Sequence, residues 1–329
     1  MAKPGKPRRI KFWKYYEEWY QTYKRGSITP ISYAKYQLAG KHLKELAPDL
    51  VLSELTRFDI QKLMNDYGLT HEKATVRDFY HHISSSIQDA VYEGWIQRDP
   101  CYKIQINSTV THKKGHKWLE ADEVRKLEKQ IAKDTTGFGD FIDLYLRTGM
   151  RFAEGLGITP KDVDFDKRTI YVNKTMNYKN TVEGLEYGEF MPTKNKYSVR
   201  IIPVDPQALL DLKKHLPGVK DNESIMQHWF DQLKRGEGRL IGQHAQVYNS
   251  TFNKELERMC CRAGINIISW HGLRHTHASL LVANRVSIQS VAKRLGHANT
   301  ETTQRVYIHL LDELRLEDDQ KIVNIMSAI

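Results

Sequence analysis

The segment Trp270-His271-Gly272-Leu273-Arg274-His275-Thr276-His277 is followed by Leu295-Gly296-His297 and then by Tyr307. Imidazoles, a guanidinium and a phenol thus stand at fixed offsets. A phosphodiester resists attack because its oxygens are negative and its alkoxide leaves poorly. Cleaving it without a metal takes cations on the non-bridging oxygens, an acid for the leaving oxygen, and a nucleophile. Arginine suits the first task, being always charged and able to grip two oxygens in a planar fork. Arg274 is one candidate. Arg151, within Thr148-Gly149-Met150-Arg151-Phe152-Ala153-Glu154, is a second. Gly149 ends one expected helix, Arg151 begins the next, and Glu154 one turn on is placed to orient the guanidinium.

Tyr307 is the candidate nucleophile. A phenol with a pKa of about 10 is scarcely ionised at neutral pH, so it needs cationic neighbours and a proton acceptor. The chain holds 17 tyrosines, and position after Leu295-Gly296-His297 and before His309 singles this one out. His271 and His297 read as hydrogen-bond partners of the scissile phosphate and of the tyrosine's proton. His271 and His275 also stand at a zinc-ligand spacing. The metalloprotease version, however, needs Glu where Gly272 stands. No metal and no other cofactor is expected.

The elements that must position these groups can be read from periodicity. Phe12, Tyr15, Tyr16, Trp19 and Tyr23 recur at helical steps. Further helices are expected from Thr29-Pro30 to Pro48, over Thr56 to Tyr67, and over Thr75 to Glu93. Residues 1–106 therefore read as a helical domain, and the polar, basic stretch 107–117 as an interdomain linker. Residues 118–309 read as a mixed α/β domain. Its helices are expected over 120–131, 140–147, 207–215, 246–263, 273–283, 288–295 and 300–306. Its strands are expected at 163–165, 169–172 and 199–204, with a polar insertion around Gly184 and Gly188. The tail, 310–329, carries Leu310, Leu311, Leu314, Ile322, Ile325 and Ile329 near helical spacing. That stripe must dock on its own domain or on a neighbouring protomer.

The fold class is thus α-rich α+β with a small antiparallel sheet. A chain of 329 residues with 40% hydrophobic content can build such cores, and its formal net charge of +10 favours a polyanionic partner. Lys3, Lys6, Arg8, Arg9, Lys11, Lys14, Lys24 and Arg25 face only Glu17 and Glu18 at the start of the chain, with no apolar run behind them. That excludes a signal peptide or membrane span there. Three cysteines, two adjacent, form neither a disulfide framework nor a zinc spacing. They suit small core positions and a reducing cytoplasm.

In order along the chain, Arg151, His271-x-x-Arg274, Leu295-Gly296-His297 and Tyr307 resemble the motifs of the tyrosine recombinase (phage integrase) family. The resemblance runs from about residue 12 to the end. The wording Leu-Arg-His-Thr-His-Ala-Ser (273–279) is similar to integrases of Gram-positive prophages and conjugative transposons. It implies a helical core-binding domain and a catalytic domain that clamp duplex DNA, and a catalytic lysine in a β-hairpin turn. Thr193-Lys194-Asn195-Lys196 matches that turn, with Lys194 the better fit, Lys196 its rival, and Lys174 and Lys179 weaker ones. Such integrases often begin with an arm-binding module. Here residues before about 11 leave no room for it, so the chain is expected to be of the simpler kind or a piece of a longer one.

The expected activity is site-specific recombination that integrates and excises a mobile element. Tyr307 would attack the phosphate to give a 3′-phosphotyrosine, and four protomers would act on two duplexes through a Holliday junction. A directionality factor or a host DNA-bending protein would be a further partner, and no membrane would be involved. The expected place of action is the bacterial cytoplasm, at the nucleoid. A chromosome-dimer resolvase or a type IB topoisomerase-like strand transferase would use a similar residue set. A catalytically silent DNA-binding regulator is the reading from another class, and the six candidates together argue against it.

Overall fold

In a computed structural model of the chain, the structure describes residues 8–111, 117–179, 184–193, 195–239, 244–301, 303–304 and 322–327. It divides into two compact units, Met1–Lys114 with Thr181–Leu185, and Gly115–Asn180 with Glu186–Ile329.

The first unit is built on four α-helices, α1 (Phe12–Tyr23), α2 (Pro30–Leu46), α3 (Arg57–Gly68) and α4 (Lys73–Tyr92). The aromatic stripe of α1 explains its place: Tyr23 of the expected stripe is exposed, but Phe12, Tyr15, Tyr16, Trp19 and Tyr20 are all buried. They meet Leu43 of α2, Ile60 and Met64 of α3, and Ile83 and Ile87 of α4 in one core. Helix starts are set by side chains that take up free backbone N–H groups. Thr29 accepts from Ser32 N ahead of Pro30, and Thr56 and Asp59 cap each other's backbone. The first part of the expected linker is fastened to this unit, because Thr109 N donates to Gly68 O at 3.0 Å and Val110 bridges Glu72.

The second unit opens with α5 (Ala121–Ile131), α6 (Phe138–Thr148) and the one-turn α7 (Phe152–Leu156). Short strands follow: β1 (Val163–Asp164), β2 (Thr169–Val172), β3 (Lys174–Met176), β4 (Phe190–Pro192) and β5 (Arg200–Pro203). Among the described residues five helices follow: α8 (Pro206–Lys214), α9 (Ile225–Gly236), α10 (Asn249–Ala263), α11 (Trp270–Ala283) and α12 (Ile288–Leu295). The strands form two antiparallel sheets, β1-β2-β5 with Ile170 opposite Ile202, and β3-β4 with Thr175 opposite Met191. The α-rich fold class with small antiparallel sheets is what the sequence patterns indicate.

Three details differ from that reading. Helix α9 lies where no helix is expected from the sequence, with Ile225, Met226, Trp229 and Phe230 buried on one stripe behind the Ser224 cap. The polar insertion hides the β3–β4 hairpin, whose three-residue strands are too short to show alternation. Of the adjacent cysteines only Cys260 is in the core, while Cys261 is exposed. Successive helix residues point about 100° apart, so both cannot face one core.

Helix α6 crosses the middle of this unit, burying Phe138, Phe141, Ile142, Leu144, Tyr145 and Leu146. It also buries Asp143, whose Oδ2 accepts from Arg147 Nε at 2.6 Å. Asp143 Oδ1 and Asp211 Oδ2, on facing α6 and α8, are both buried with no hydrogen-bond partner, the arrangement of two carboxyls that can share one proton. Burial, then the proximity of Asp211, push the Asp143 carboxyl up to about 7 against the pull of Arg147. Its folded-state pKa lies above the unfolded value, so the stability it contributes is full below about 4 and is lost as pH rises toward 7. Asp143→Asn should therefore gain stability relative to wild type over that window, by on the order of 2 kcal/mol. Urea unfolding at pH 4.5 and pH 7.5 checks this, and a difference that does not change with pH would refute it.

Among the described residues no helix is long and apolar enough to cross a membrane.

Candidate active site

Four of the expected site residues are delivered by three chain segments of the second unit. Helix α11 carries His271 and Arg274 one turn apart. Ser269 caps its start, and Trp270 locks it in place. The indole is buried against Tyr145, Phe152 and Phe252, and Trp270 N donates to Asn253 Oδ1 at 2.6 Å. Thr276 Oγ1 accepts from Leu119 N at 2.9 Å and ties the same helix to the start of α5.

Arg274 is 3% exposed and holds two loops together. Its Nη1 donates to Gly149 O at 2.7 Å and its Nη2 to Leu295 O at 2.5 Å. Those carbonyls stand two residues before Arg151 and two before His297. Gly149 ends α6 with φ +65°, and a Cβ there would come within 2.6 Å of His277 Cδ2. Only glycine fits such a left-handed, crowded turn.

Arg151 begins α7 and shares it with Glu154. Its Nη1 donates to Glu154 Oε1 at 2.6 Å and its backbone N to Glu154 Oε2 at 2.9 Å. The same guanidinium reaches Ser198 Oγ at 3.3 Å and Gly296 O at 3.4 Å. About a third of the Arg151 side chain is open to solvent, whereas Glu154 is buried. The carboxylate therefore orients the guanidinium from behind and leaves its other edge accessible.

His297 follows Gly296, the left-handed end of α12, and its Nδ1 is 2.7 Å from Thr303 Oγ1. Burial, then the charges of Arg274, Arg151 and Arg200, push its pKa down to about 4. His271 lies at the solvent edge. Its ring's packing against protein, then the Arg274 and Arg151 charges, lower its pKa too. Both imidazoles are thus neutral at physiological pH, able to donate at one nitrogen and accept at the other. His275 packs edge-on against His271, ring centroids 4.8 Å apart, with its pKa pushed down to about 4 by burial first and the His271 and Arg274 charges next.

Tyr307 and Lys194 lie outside the described residues, as does His309. The lysine rivals are described. Lys174 Nζ is bound to the Asp162 carboxylate and to Asn173 Oδ1 at 3.3 Å, which marks it as a structural ion pair. Lys179 is exposed. Lys196 sits in a 3-10 turn (Lys196–Ser198) with Nζ 5.3 Å from the Tyr197 ring centroid. The hairpin expected around 193–196 is not what these strands build. Strand β4 pairs with β3, and β5 pairs with β2, so β4 and β5 belong to two sheets and do not form one hairpin. Two strands adjacent in sequence read as a hairpin, but β5 finds its edge on β2.

Sequence reasoning missed a second tier of basic residues behind the site. Arg200 on β5 donates to Glu154 Oε2 at 2.9 Å, and Arg294 Nε donates to His277 Nε2 at 2.9 Å. His277 Nδ1 in turn donates to Leu146 O at 2.8 Å. Both partners fix His277 as the neutral tautomer, and burial, then Arg294, push its pKa down to about 3. One signal was available. Along β5 the alternation buries Arg200 and Ile202 and exposes Ile201 and Pro203, so a charge stands on the core face.

Residues 117–313 match the phage integrase family. The chain is similar to the integrase of Staphylococcus phage L54a, 25% identical over 93% of this chain and 90% of the relative. Among solved structures it resembles the Tn1549 transposon integrase in complex with transposon right end DNA, with TM-score 0.74, 18% identity, and coverage of 94% of this chain and 99% of that one. It also resembles a lambda integrase tetramer bound to a Holliday junction, with TM-score 0.61, 17% identity, and coverage of 88% and 75%. At these identities the two structures speak for the fold.

Proposed function

This chain belongs to the phage integrase family of tyrosine recombinases, and we propose that it is a site-specific DNA recombinase that integrates and excises a mobile element. The observation that carries this reading is the meeting of Arg151, Arg274, His271 and His297. Arg274 grips the backbone just ahead of both Arg151 and His297, while the charges of both arginines act on both imidazoles. Such a cluster suits a phosphate whose charge grows as it is attacked.

In the proposed reaction the Tyr307 oxygen attacks the scissile phosphorus. The P–O5′ bond breaks, a 3′-phosphotyrosine forms, and Lys194, with Lys196 the alternative, gives a proton to the leaving 5′-oxygen. Arg151 and Arg274 hold the non-bridging oxygens. His271 and His297, being neutral, hydrogen-bond the phosphate and take up the phenol's proton. The 5′-hydroxyl of a partner strand then reverses the step. Bond energy is kept in the phosphotyrosine, so neither ATP nor a metal is required.

Residues 1–106 would serve as a core-site DNA-binding domain, 107–117 as a basic linker and 118–309 as the catalytic domain. Four copies would act on two duplexes, a reading supported by the structurally similar lambda integrase tetramer bound to a Holliday junction. The described tail residues 322–327 expose Ile322, Val323, Ile325 and Met326, which supports packing of the 310–329 tail on a neighbouring protomer. A directionality factor or a host DNA-bending protein would set the direction, and the place of action would be DNA in the bacterial cytoplasm.

The test is strand transfer between two duplexes carrying the element's ends, run in EDTA without ATP. Recombinant products and a protein–DNA adduct are expected, and the absence of both would overturn the reading. Binding to those duplexes should also weaken steeply with salt, by about 10³-fold or more between 50 and 200 mM if six or more phosphates are neutralised. A loss below about tenfold would sink the argument from net charge.

A further inference from the structure

Arg200 stands where the alternation of β5 calls for an apolar side chain, and its side chain is 5% exposed. A buried guanidinium costs stability unless every donor finds a partner. Each edge of this one does. Nη2 donates to Glu154 Oε2 at 2.9 Å, Nη1 to Ser198 O at 2.8 Å, and Nε to Arg294 O at 2.6 Å. The three acceptors belong to three different segments. Glu154 is the carboxylate that aims Arg151. Ser198 ends the 3-10 turn Lys196–Ser198, and its Oγ lies 3.3 Å from Arg151 Nη1. Arg294 is on the last turn of α12, three residues before His297.

The backbone lies against the same guanidinium. A Cβ on Gly296 would sit 3.1 Å from Arg200 Nη1 and 3.0 Å from Ser198 Cα. Charge balance gives Arg200 a second part. Burial pushes Glu154 toward its neutral form, yet the charge and hydrogen bond of Arg200, then the charge of Arg151, hold the carboxyl below its usual range. Glu154 thus stays ionised and can keep Arg151 in place.

We propose that Arg200 is a positioning residue of the strand-transfer site, one buried fork that sets Arg151 through Glu154, the Lys196–Ser198 turn through Ser198, and His297 through the end of α12. The proposal rests on the recombinase reading. It predicts a defect in the chemical step and leaves DNA affinity alone, because Arg200 itself is shielded from the solvent-facing edge of the site.

The experiment measures single-turnover adduct formation on a nicked duplex at saturating DNA, alongside the DNA dissociation constant and thermal melting. Arg200→Met should slow adduct formation by about 100-fold, the effect of roughly an ångström of misplacement, with the dissociation constant nearly unchanged. Arg200→Lys keeps the buried charge but can reach fewer of the three acceptors at once, and should recover part of the rate. It decides the matter if the Met variant melts below the assay temperature. Glu154→Gln should slow the wild-type protein far more than it slows Arg200→Met, since the two act as one unit. Wild-type rates at saturating DNA in either Arg200 variant, or additive losses with Glu154→Gln, overturn the proposal. Absence of adducts with the wild-type protein itself would instead overturn the recombinase reading.

Discussion

Tyr307→Phe is expected to abolish covalent protein–DNA adducts on a nicked duplex while DNA affinity stays nearly that of wild type. The phenol oxygen is the atom that would bond to phosphorus, and phenylalanine lacks only that atom. Affinity rests on many phosphate contacts by lysine and arginine, so one missing hydroxyl should barely move it. The neutral state of His271 and His297 would favour the proposed reaction. His297, with its pKa near 4, can accept a proton at pH 7, and Thr303 takes up only its Nδ1. Gel electrophoresis under denaturing conditions reads the adduct directly. Adducts that persist in the Phe variant would mean that another residue is the nucleophile and that the order of motifs has misled.

Arg274→Lys should be the next most damaging change, slowing adduct formation by about 10²- to 10³-fold. The guanidinium is buried and spans two carbonyl oxygens from separate loops, Gly149 O and Leu295 O. A lysine keeps the charge but has no fork, so it cannot tie both loops and still face a phosphate. The carbonyl it releases would stay buried, which costs about 1–3 kcal/mol of stability. Melting and DNA binding must therefore be followed alongside the rate. A Lys variant that folds, binds and cleaves within about threefold of wild type would remove Arg274 from the site, because a preorganised donor is worth far more than that.

The order of these effects depends on features legible to different degrees. Arg274 and His271 were legible by residue type and an offset of three, although the helix was expected only from 273 and starts at Trp270, which puts both side chains on one helix face. Glu154 was legible for the same reason, one turn from Arg151. Helix starts were also written locally, in Thr29-Pro30 and Thr56, whereas the Ser269 cap was passed over. What was not legible follows from partners far away in the chain. Arg200 meets Glu154 across 46 residues, and Arg294 meets Pro203 O across 91. Neither relation leaves a local pattern beyond a charge on the wrong face of a strand.

Residue chemistry and short-range spacing alone determined the helical character of the chain, the candidate nucleophile and cations, and the family they resemble. Tertiary structure decided that β5 pairs with β2, so that β4 and β5 fall in two sheets. It decided that Lys174 is held by Asp162. It also decided that a second guanidinium stands behind Glu154. Strand pairing is chosen among distant edges by the burial each offers, and a buried ion finds its partners only once those edges have met. Periodicity within a segment records which face turns inward, and it holds no information about what that face will meet.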